Sequence, residues 1–527
     1  MQKPSGDYTV RGCDHGDVQF RDLRDFRNDT DATYLRNLET LCSALNPTQY
    51  SSRRLETGIV KPTIFLGLRY TLGCPAMFPL DIMHLADLND TDLFVSLWQG
   101  KIKWYGDDNP SGWEWVVLTS KMWDLHGESI TLCTAYLPVS FGRAPRNPAQ
   151  KINSGYKAWE YCIWFYGLGP TLLRNILPEK YWRNYCQLVR GLRLAKQYSL
   201  THDEVNKANR MLSFFVKDFE RLYVQRNPNR IHFVRQSIHI LTHLAPEIFR
   251  VGPLTCYAQW VMETLIGNLG LEIGSLVDPY TNISNCGVLR AQLVAMYSLL
   301  PEIVPVPEKL LRTLPMHALD LGDSYAFLPR RDSIECEITT SEAKALKTYW
   351  IKKKWPNAGG FHNCLRRHGK LLLPNDQKVR SVWNESLSDR ANRRRATIAK
   401  FLDDEGTTQY GEVQYFFALR FGDECYPLAM VSIFSNPDQD LLEKSYGTVH
   451  MCYYQGQDAL QVIGVKKIKA LVAMVPDFQI SGDKVIAEDN KFFLVKKPSL
   501  QGQEFFGLDD LGEQDDDDND DMVMNEL

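Results

Sequence analysis

Residues 231–273 read IHFVRQSIHILTHLAPEIFRVGPLTCYAQWVMETLIGNLGLEI, which predicts two helices joined by a break rich in proline and glycine. In the first helix, apolar residues recur at spacings of three and four and so predict one buried stripe. Its members are Ile231, Val234, Ile238, Leu241 and Ala245. Pro246 cannot continue an α-helix, and Gly252-Pro253 permits a tight reversal. We therefore expect the chain to turn back on itself here.

The second helix predicts another buried stripe, formed by Leu254, Ala258, Val261, Leu265 and Leu269. Glu263 lies opposite this stripe, close to Gly267 and Gly270. Glycine inside a helix costs about 1 kcal/mol relative to alanine. Two glycines beside one carboxylate indicate either the close approach of another backbone or a frayed helix end. A glutamate that is simply solvated remains the alternative.

Length and composition predict an intracellular globular protein of two or three domains. The 527 residues are 44% hydrophobic and 11% aromatic, which is enough to build substantial cores. The net charge of −4 includes ten acids between Asp509 and Leu527, so the rest of the chain carries a small positive excess. The cysteines show no C-x-x-C pair, and no apolar run is long enough to cross a bilayer. Disulfide, zinc-ribbon and membrane classes are therefore disfavoured.

Residues 90–300 predict a mainly α-helical body. Asp90 is a suitable cap for a helix at 91–99, and eight tryptophans follow between Trp98 and Trp182, most of them expected in the core. Residues 159–166 are apolar on nearly all sides, which indicates a central buried helix ending at 167–170. The sequence Thr201-His-Asp-Glu204 is a capping box and starts a further helix.

A basic segment, SFGRAPRNPAQKINSG at residues 140–155, interrupts the helical body. Its two prolines and two glycines predict an irregular loop, and Arg143, Arg146 and Lys151 supply positive charge. Such a loop can grip the phosphates of DNA. An ordinary solvated connector is the alternative.

Two further patterns carry chemistry. Asp81 and His84 stand at i, i+3, so they can ligate a metal, hydrogen-bond each other or cap a helix. His239 and His243, with His232 nearby, have a spacing that suits zinc, although no third ligand of another type is evident. Structural histidines on a polar helix face are the alternative.

The carboxy-terminal part of the chain changes character. Residues 301–340 are Pro-rich and predict irregular structure, and 341–355 predict a basic helix. Five β-rich runs between 410 and 475 predict a small barrel or sandwich. The resulting division is a polar N-terminal segment at 1–60, a core at 61–300, a Pro-rich and basic linker at 301–407, a small β-rich domain at 408–500 and a disordered acidic tail at 501–527.

Several motifs together resemble CACTA-type (En/Spm) DNA transposases, especially those of fungal genomes. They are FPLDIMH at 78–84, FGRAPRNPAQKINSGYKAWE at 141–160, YGLGP at 166–170, the segment 239–247, and Gly252-Pro253 followed by QWVME at 259–263. The resemblance covers roughly residues 10–300, and the β-rich segment at 408–476 also looks like the carboxy-terminal part of those proteins.

This resemblance implies an RNase H-like core in which two aspartates and a glutamate bind divalent metal, with a helical insertion before the glutamate. Glu263 would then be the third acid and a metal ligand, and Asp81 and His84 would match the D-x-x-H motif at the start of the insertion. The strands that carry the first two aspartates would lie upstream of this chain. Thr264 also follows Glu263, where many relatives have arginine.

The sequence therefore predicts a mainly α protein with α+β parts: a partial RNase H-like core dominated by its helical insertion, a small β-barrel-like domain and an acidic tail. We expect a transposase-derived protein that is catalytically inactive alone. It should need no cofactor, although a complete site would bind Mg²⁺. We expect it to associate with DNA in the nucleus, or to stay in the cytoplasm if it is not imported. Expected partners are DNA, a full-length transposase or a second copy, and no membrane. The alternatives are a protein-interaction or chromatin scaffold, and a transposase subunit completed in trans by another chain.

Overall fold

The computed structural model describes residues 31–63, 65, 72–74, 76–274, 277–304, 314–332, 334–355, 364–387, 394–421 and 424–495. The predicted acidic tail lies outside these residues. Helices dominate the first part of the chain and small sheets the second. The protein is thus a mixed α+β structure.

Thirteen α-helices occupy the described residues up to 304. They are α1 Asp31–Cys42, α2 Pro47–Thr57, α3 Thr91–Trp98, α4 Ser120–Cys133, α5 Pro148–Lys151, α6 Ala158–Tyr161, α7 Gly169–Leu172, α8 Glu179–Ala195, α9 His202–Phe219, α10 Gln236–Ile240, α11 Leu244–Val251, α12 Trp260–Leu271 and α13 Pro279–Leu299. Wider π-helical turns at Met83–Asp90, Cys162–Leu168 and Glu220–Val224 continue directly into or out of α3, α6, α7 and α9.

Local signals locate several of these helices correctly. Glu204 N–H donates to Thr201 Oγ1 at 3.2 Å and Thr201 N–H donates to Glu204 Oε2 at 2.8 Å, which confirms the capping box of α9. Burial also confirms the central helix, since Trp164 and Phe165 are almost completely enclosed. That helix does not end at 167–170, however, because α7 continues it through Gly169. A side chain at Gly169 would collide with the Tyr185 hydroxyl.

The stretch at 231–273 differs from its prediction. The first helix is broken into a 3₁₀ turn at Pro228–Phe233, α10, a 3₁₀ turn at Leu241–His243, and α11. Ile238, Leu241 and Ala245 are buried as expected. Pro246 does not end a helix but lies in the first turn of α11, where its missing N–H is not needed.

The described residues from 314 onward form fourteen strands and three α-helices. They are β1 Leu319–Gly322, β2 Tyr325–Phe327, β3 Cys336–Glu337, α14 Thr340–Lys352, β4 Cys364–Leu365, β5 Lys370–Leu372, β6 Lys378–Arg380, α15 Val382–Ser386, β7 Ile398–Leu402, β8 Thr408–Phe421, β9 Glu424–Ile433, α16 Gln439–Lys444, β10 Met451–Tyr453, β11 Leu460–Gly464, β12 Ile468–Leu471, β13 Ala473–Ser481 and β14 Lys484–Val495. The expectation that 301–340 is irregular is therefore wrong for the described residues that form β1, β2 and β3, whereas α14 confirms the helix expected at 341–355.

The strands form open antiparallel sheets. Their orders are β1-β2-β5-β6, β11-β9-β8-β7-β12 and β10-β14-β13, with a short β3-β4 pair. The central hairpin pairs β8 with β9 from Gly411↔Ile433 to Phe421↔Glu424. None of the described sheets closes on itself, so the predicted barrel-like closure is wrong for these residues.

The helical body and the last sheet share one core. Val475 of β13 and Phe493 of β14 are buried in the same apolar cluster as Trp164. Arg174, which follows α7, pairs with the fully buried Asp477 at 2.7 Å. Residues 473–495 thus pack on the helical body as part of its core.

Candidate functional site around Asp81, His84 and Glu263

Asp81 connects two parts of the chain that are far apart in sequence. Its carboxylate accepts the N–H of His84 at 2.9 Å and so caps the π-helical turn Met83–Asp90. The other carboxylate oxygen accepts the N–H of Gln259, 178 residues further along, at 2.9 Å. Gln259 is the residue before α12, so Asp81 fixes the start of the helix that carries Glu263.

His84 lies between Asp81 and Glu263. Its Nδ1 is 2.5 Å from Asp81 Oδ2, and its Nε2 is 3.5 Å from Glu263 Oε1. The three side chains singled out by the sequence therefore come together. Of the three roles predicted for Asp81 and His84, the structure shows the hydrogen bond and the helix cap. The two side chains are not arranged as two ligands of one metal ion.

Glu263 projects from the first turn of α12 and is half-exposed. Gly267 and Gly270 have open space where a side chain would stand, so no other backbone approaches them among the described residues. The predicted buried stripe of this helix is wrong. Leu254 and Ala258 are buried but precede the helix, whereas Val261 is 80% and Leu265 44% exposed.

The order Asp81–His84–Glu263 defines what the group can do chemically. A carboxylate that accepts from Nδ1 fixes the orientation of the imidazole and directs Nε2 outward, as in histidines that ligate metals. When both ring nitrogens carry a proton, Nε2 donates to Glu263; when Nε2 is unprotonated, it can share a cation with Glu263. The 3.5 Å separation is close to the roughly 3.0–3.4 Å expected between two neighbouring ligands that each lie about 2.1 Å from one ion.

The described residues do not fit the complete magnesium site that the resemblance implies. Magnesium chemistry of that type needs ions clamped between several carboxylates. Here one carboxylate and one imidazole face the open side, because both Asp81 oxygens already accept hydrogen bonds. Across the described part of the chain, no group of three or more His, Cys, Asp or Glu side chains is placed to hold a metal ion.

A cluster of buried charged residues lies next to this site, and the sequence analysis did not predict it. Asp87 and Lys196 are fully buried and hydrogen-bonded to each other. Burial raises the pKa of Asp87 even though Lys196 opposes the rise, and the charge of Asp81 raises it further. Charged residues buried in a helical core leave no periodic signal, so the sequence pattern could not reveal the pair.

Asp90 belongs to the same cluster. It is completely buried, and neither carboxylate oxygen has a hydrogen-bond partner among the described residues. Burial raises its pKa to about 7, with partial opposition from the nearby Ser237 hydroxyl and from Lys196. The prediction that Asp90 caps a helix is wrong, because the π-helical turn runs straight through it into α3.

The basic loop at 140–155 is more ordered than predicted, since it contains α5. Arg146 donates to both oxygens of the buried Glu160, at 2.7 and 2.6 Å, and to the carbonyl of Gly155 at 2.9 Å. Its guanidinium therefore holds the loop in place. Arg143 and Lys151 are exposed on the same segment. They remain the residues of this loop that are best placed to meet a partner.

The histidines of residues 231–243 form a pair of side chains rather than a metal centre. His239 Nε2 lies 3.0 Å from His243 Nε2, on the exposed side of α10 and the following turn. His232 points elsewhere and contacts the carbonyl of Lys103 at 2.5 Å. A zinc site with these three histidines therefore has no support in the described residues.

Comparison of the chain with protein-family models, with curated proteins and with solved structures gave no match. Within the described residues, no helix combines the length and the apolar character needed to cross a membrane.

Proposed function

We propose that this chain is a transposase-derived protein, similar to the CACTA type, which associates with DNA but does not cut it alone. The observation that carries the proposal is the convergence of Asp81, His84 and Glu263. Glu263 was singled out through the resemblance, and no local pattern connects it with Asp81 and His84. In this proposal the helical body corresponds to the insertion of a partial RNase H-like core.

The contacts of the site support association without cleavage. Asp81 is occupied in anchoring α12 and orienting His84, so it acts as a positioning residue. Among the described residues of this site, only Glu263 then offers a carboxylate to an incoming cation. Strand cleavage with stabilised attacking and leaving oxygens needs more than one such ligand.

The DNA contact in this proposal is electrostatic and uses Arg143 and Lys151 on the exposed loop. Phosphate contacts fix the position of a protein on DNA without reading its sequence. Binding should therefore depend steeply on salt and weakly on base sequence.

Two assays test this function. Fluorescence anisotropy with a labelled duplex should show binding that weakens strongly between 50 and 200 mM salt, as expected for several phosphate contacts. Lys151→Ala should reduce the slope of log K against log salt by about 0.9. Lys207→Ala, which removes an exposed lysine of α9, is the matched control and should leave the slope unchanged.

The second assay uses supercoiled plasmid with magnesium or manganese. The wild-type chain should leave the plasmid intact. Nicking that disappears in Glu263→Gln would overturn the inactive assignment and favour a catalytic role for this site. Absence of duplex binding at 50 mM salt would overturn the DNA-associating function itself.

A second candidate function, protein interaction, is favoured by helices α12 and α13. Neither helix has a buried residue, and both carry large apolar side chains around their surfaces. The exposed ones are Val261, Met262, Leu265, Ile266, Leu271, Tyr280, Val288, Leu289, Leu293, Val294, Met296 and Leu299. Helices that are apolar all round are normally buried. Exposed apolar patches of more than a few hundred Å² mark interaction sites.

The occupant that this surface favours is a second copy of the chain. The α12 and α13 helices of two copies can pack into a four-helix bundle that covers their apolar side chains, and the charges on and next to these helices are few and partly paired, as Glu272 with Arg290. Sedimentation equilibrium should then give a dimer, and Leu265→Lys with Leu293→Lys should give a monomer. A wild-type monomer at concentrations well above micromolar would contradict self-association.

A further inference from the structure

A cleft of about 1020 Å³ lies in the carboxy-terminal half, away from the site described above. Three arginines line it: Arg331, which follows β2, Arg366, which follows β4, and Arg420, near the end of β8. Because these come from three separate parts of the chain, no single stretch of the sequence indicates the cluster. We call this feature the arginine cleft.

The backbone holds the three arginines in place through His368. Its N–H donates to Phe416 O at 2.7 Å, and Phe416 N–H donates to His368 O at 3.0 Å, which joins the His368 segment to β8. Arg331 is bridged to His368 on the other side. The arginine cleft therefore stands on a hydrogen-bonded framework, and its backbone loses little conformational entropy when a ligand binds.

The charge of the arginine cleft is unbalanced. All three arginines are exposed, and in the described part of the chain none of their guanidinium groups has a hydrogen-bond or ion-pair partner. Glu335 is the single acid among the lining residues. The neighbouring Arg367 behaves differently, since it packs over the Tyr415 ring at 4.6 Å. Guanidinium groups bind phosphate or carboxylate in a bidentate fork, which makes this cleft suited to an anion.

The floor of the arginine cleft is apolar and aromatic. The rings of Phe327 and His368 are stacked with centroids 4.6 Å apart, and Trp350 of α14 closes another part of the lining. Burial and the charges of Arg331 and Arg366 lower the pKa of His368 to about 4, so this imidazole is neutral near pH 7. A neutral floor favours a ligand that carries a planar or apolar body beside its charge.

We propose that the arginine cleft binds a phosphorylated small molecule of nucleotide size. Its phosphates are held by Arg331, Arg366 and Arg420, and its body rests towards Phe327 and Trp350. The volume of the cleft falls at the upper end of the range of ligand pockets, about 300–1,000 Å³. This binding is separate from the proposed association with duplex DNA, which uses the loop at 140–155.

Isothermal titration calorimetry with three probes tests the proposal: adenosine triphosphate, adenosine, and a single-stranded 12-nucleotide DNA. The triphosphate should bind with one-to-one stoichiometry, and adenosine at least about tenfold more weakly, because it lacks the charge that the arginines recognise. Arg366→Ala and Arg420→Ala should each weaken the triphosphate at least about tenfold. Arg210→Ala removes an exposed arginine of α9 and should leave the affinity unchanged.

The thermal midpoint of each variant shows whether it is folded, and Arg366→Lys provides a second test because it keeps the charge but removes the fork. The lysine variant should retain only part of the wild-type affinity. The proposal is overturned if the triphosphate fails to bind at millimolar concentration, or if Arg366→Ala and Arg420→Ala bind as the wild type does. Equal losses in Arg210→Ala would also overturn it. Binding of the 12-nucleotide DNA without the triphosphate would assign the arginines to a polynucleotide surface instead.

Discussion

Replacing Asp90 with asparagine should stabilise the protein in a pH-dependent way. The carboxyl is completely buried beside α3, and burial raises its pKa from an ordinary 3.8 to about 7. The folded protein therefore binds more protons at this group than the unfolded chain does between about pH 4 and pH 7. The stability that the group contributes is present below pH 4 and is lost as pH rises towards 7.

The size of the effect follows from the pKa. A change from 3.8 to about 7 corresponds to about 4 kcal/mol, at about 1.36 kcal/mol for each tenfold change in proton affinity. Asparagine resembles the protonated acid and does not ionise. The difference in unfolding free energy between Asp90→Asn and the wild type should therefore increase by about 4 kcal/mol from pH 4 to pH 8. The cost of burying the asparagine amide does not vary with pH, so it does not contribute to this increase.

Urea unfolding followed by circular dichroism at pH 4, 6 and 8 measures this quantity. The matched control is Asp92→Asn, two residues away, which removes an exposed pair with Arg235. It should change stability by less than about 1 kcal/mol at each pH. A difference between Asp90→Asn and wild type that is the same at pH 4 and pH 8 would refute the reasoning.

Three further substitutions test the structure. Lys196→Met leaves the Asp87 carboxylate buried without its partner and should lower the free energy of unfolding by about 3–5 kcal/mol in urea. The double variant Asp87→Leu with Lys196→Met should recover most of this loss. Equal losses in the single and double variants would contradict the pairing. Thr201→Ala removes the cap of α9 and should cost about 1 kcal/mol in the same assay. Arg146→Ala should lower the thermal midpoint by several degrees because Glu160 loses its partner, while Lys151→Ala should leave the midpoint unchanged. A lower midpoint in Lys151→Ala than in Arg146→Ala would mean that Lys151, not Arg146, holds the loop.

Local interactions account for what the sequence predicted well. The capping box at Thr201 and the Asp81–His84 contact each join residues three positions apart, so spacing alone identifies them. Tryptophan burial was also predicted, because Trp98, Trp115 and Trp164 have no other way to remove their area from water.

Long-range arrangement accounts for the predictions that failed. A periodic stripe indicates a buried helix face only if another element covers it, and none of the described elements covers Val261 or Leu265. Closure of a sheet depends on how its edge strands pair, which alternation along single strands does not encode. The contact of His84 with Glu263 was not predicted, since no spacing rule links these positions.

The buried charges and the clustered arginines could not be predicted from the sequence either. Asp90 has the residue type and position of a helix cap, and only the structure places it inside the core. Arg331, Arg366 and Arg420 are distant in sequence and converge where isolated bridges join His368 to Arg331 and to Phe416 of β8.

The salt dependence of duplex DNA binding tests the central proposal most directly. A titration of labelled duplex with the whole chain, at several salt concentrations from 50 to 200 mM, should give a linear and steep fall of log K against log salt. The fall should become shallower in Lys151→Ala and stay unchanged in Lys207→Ala. A chain that does not bind duplex at 50 mM salt, or that binds equally well at every concentration, would contradict the account.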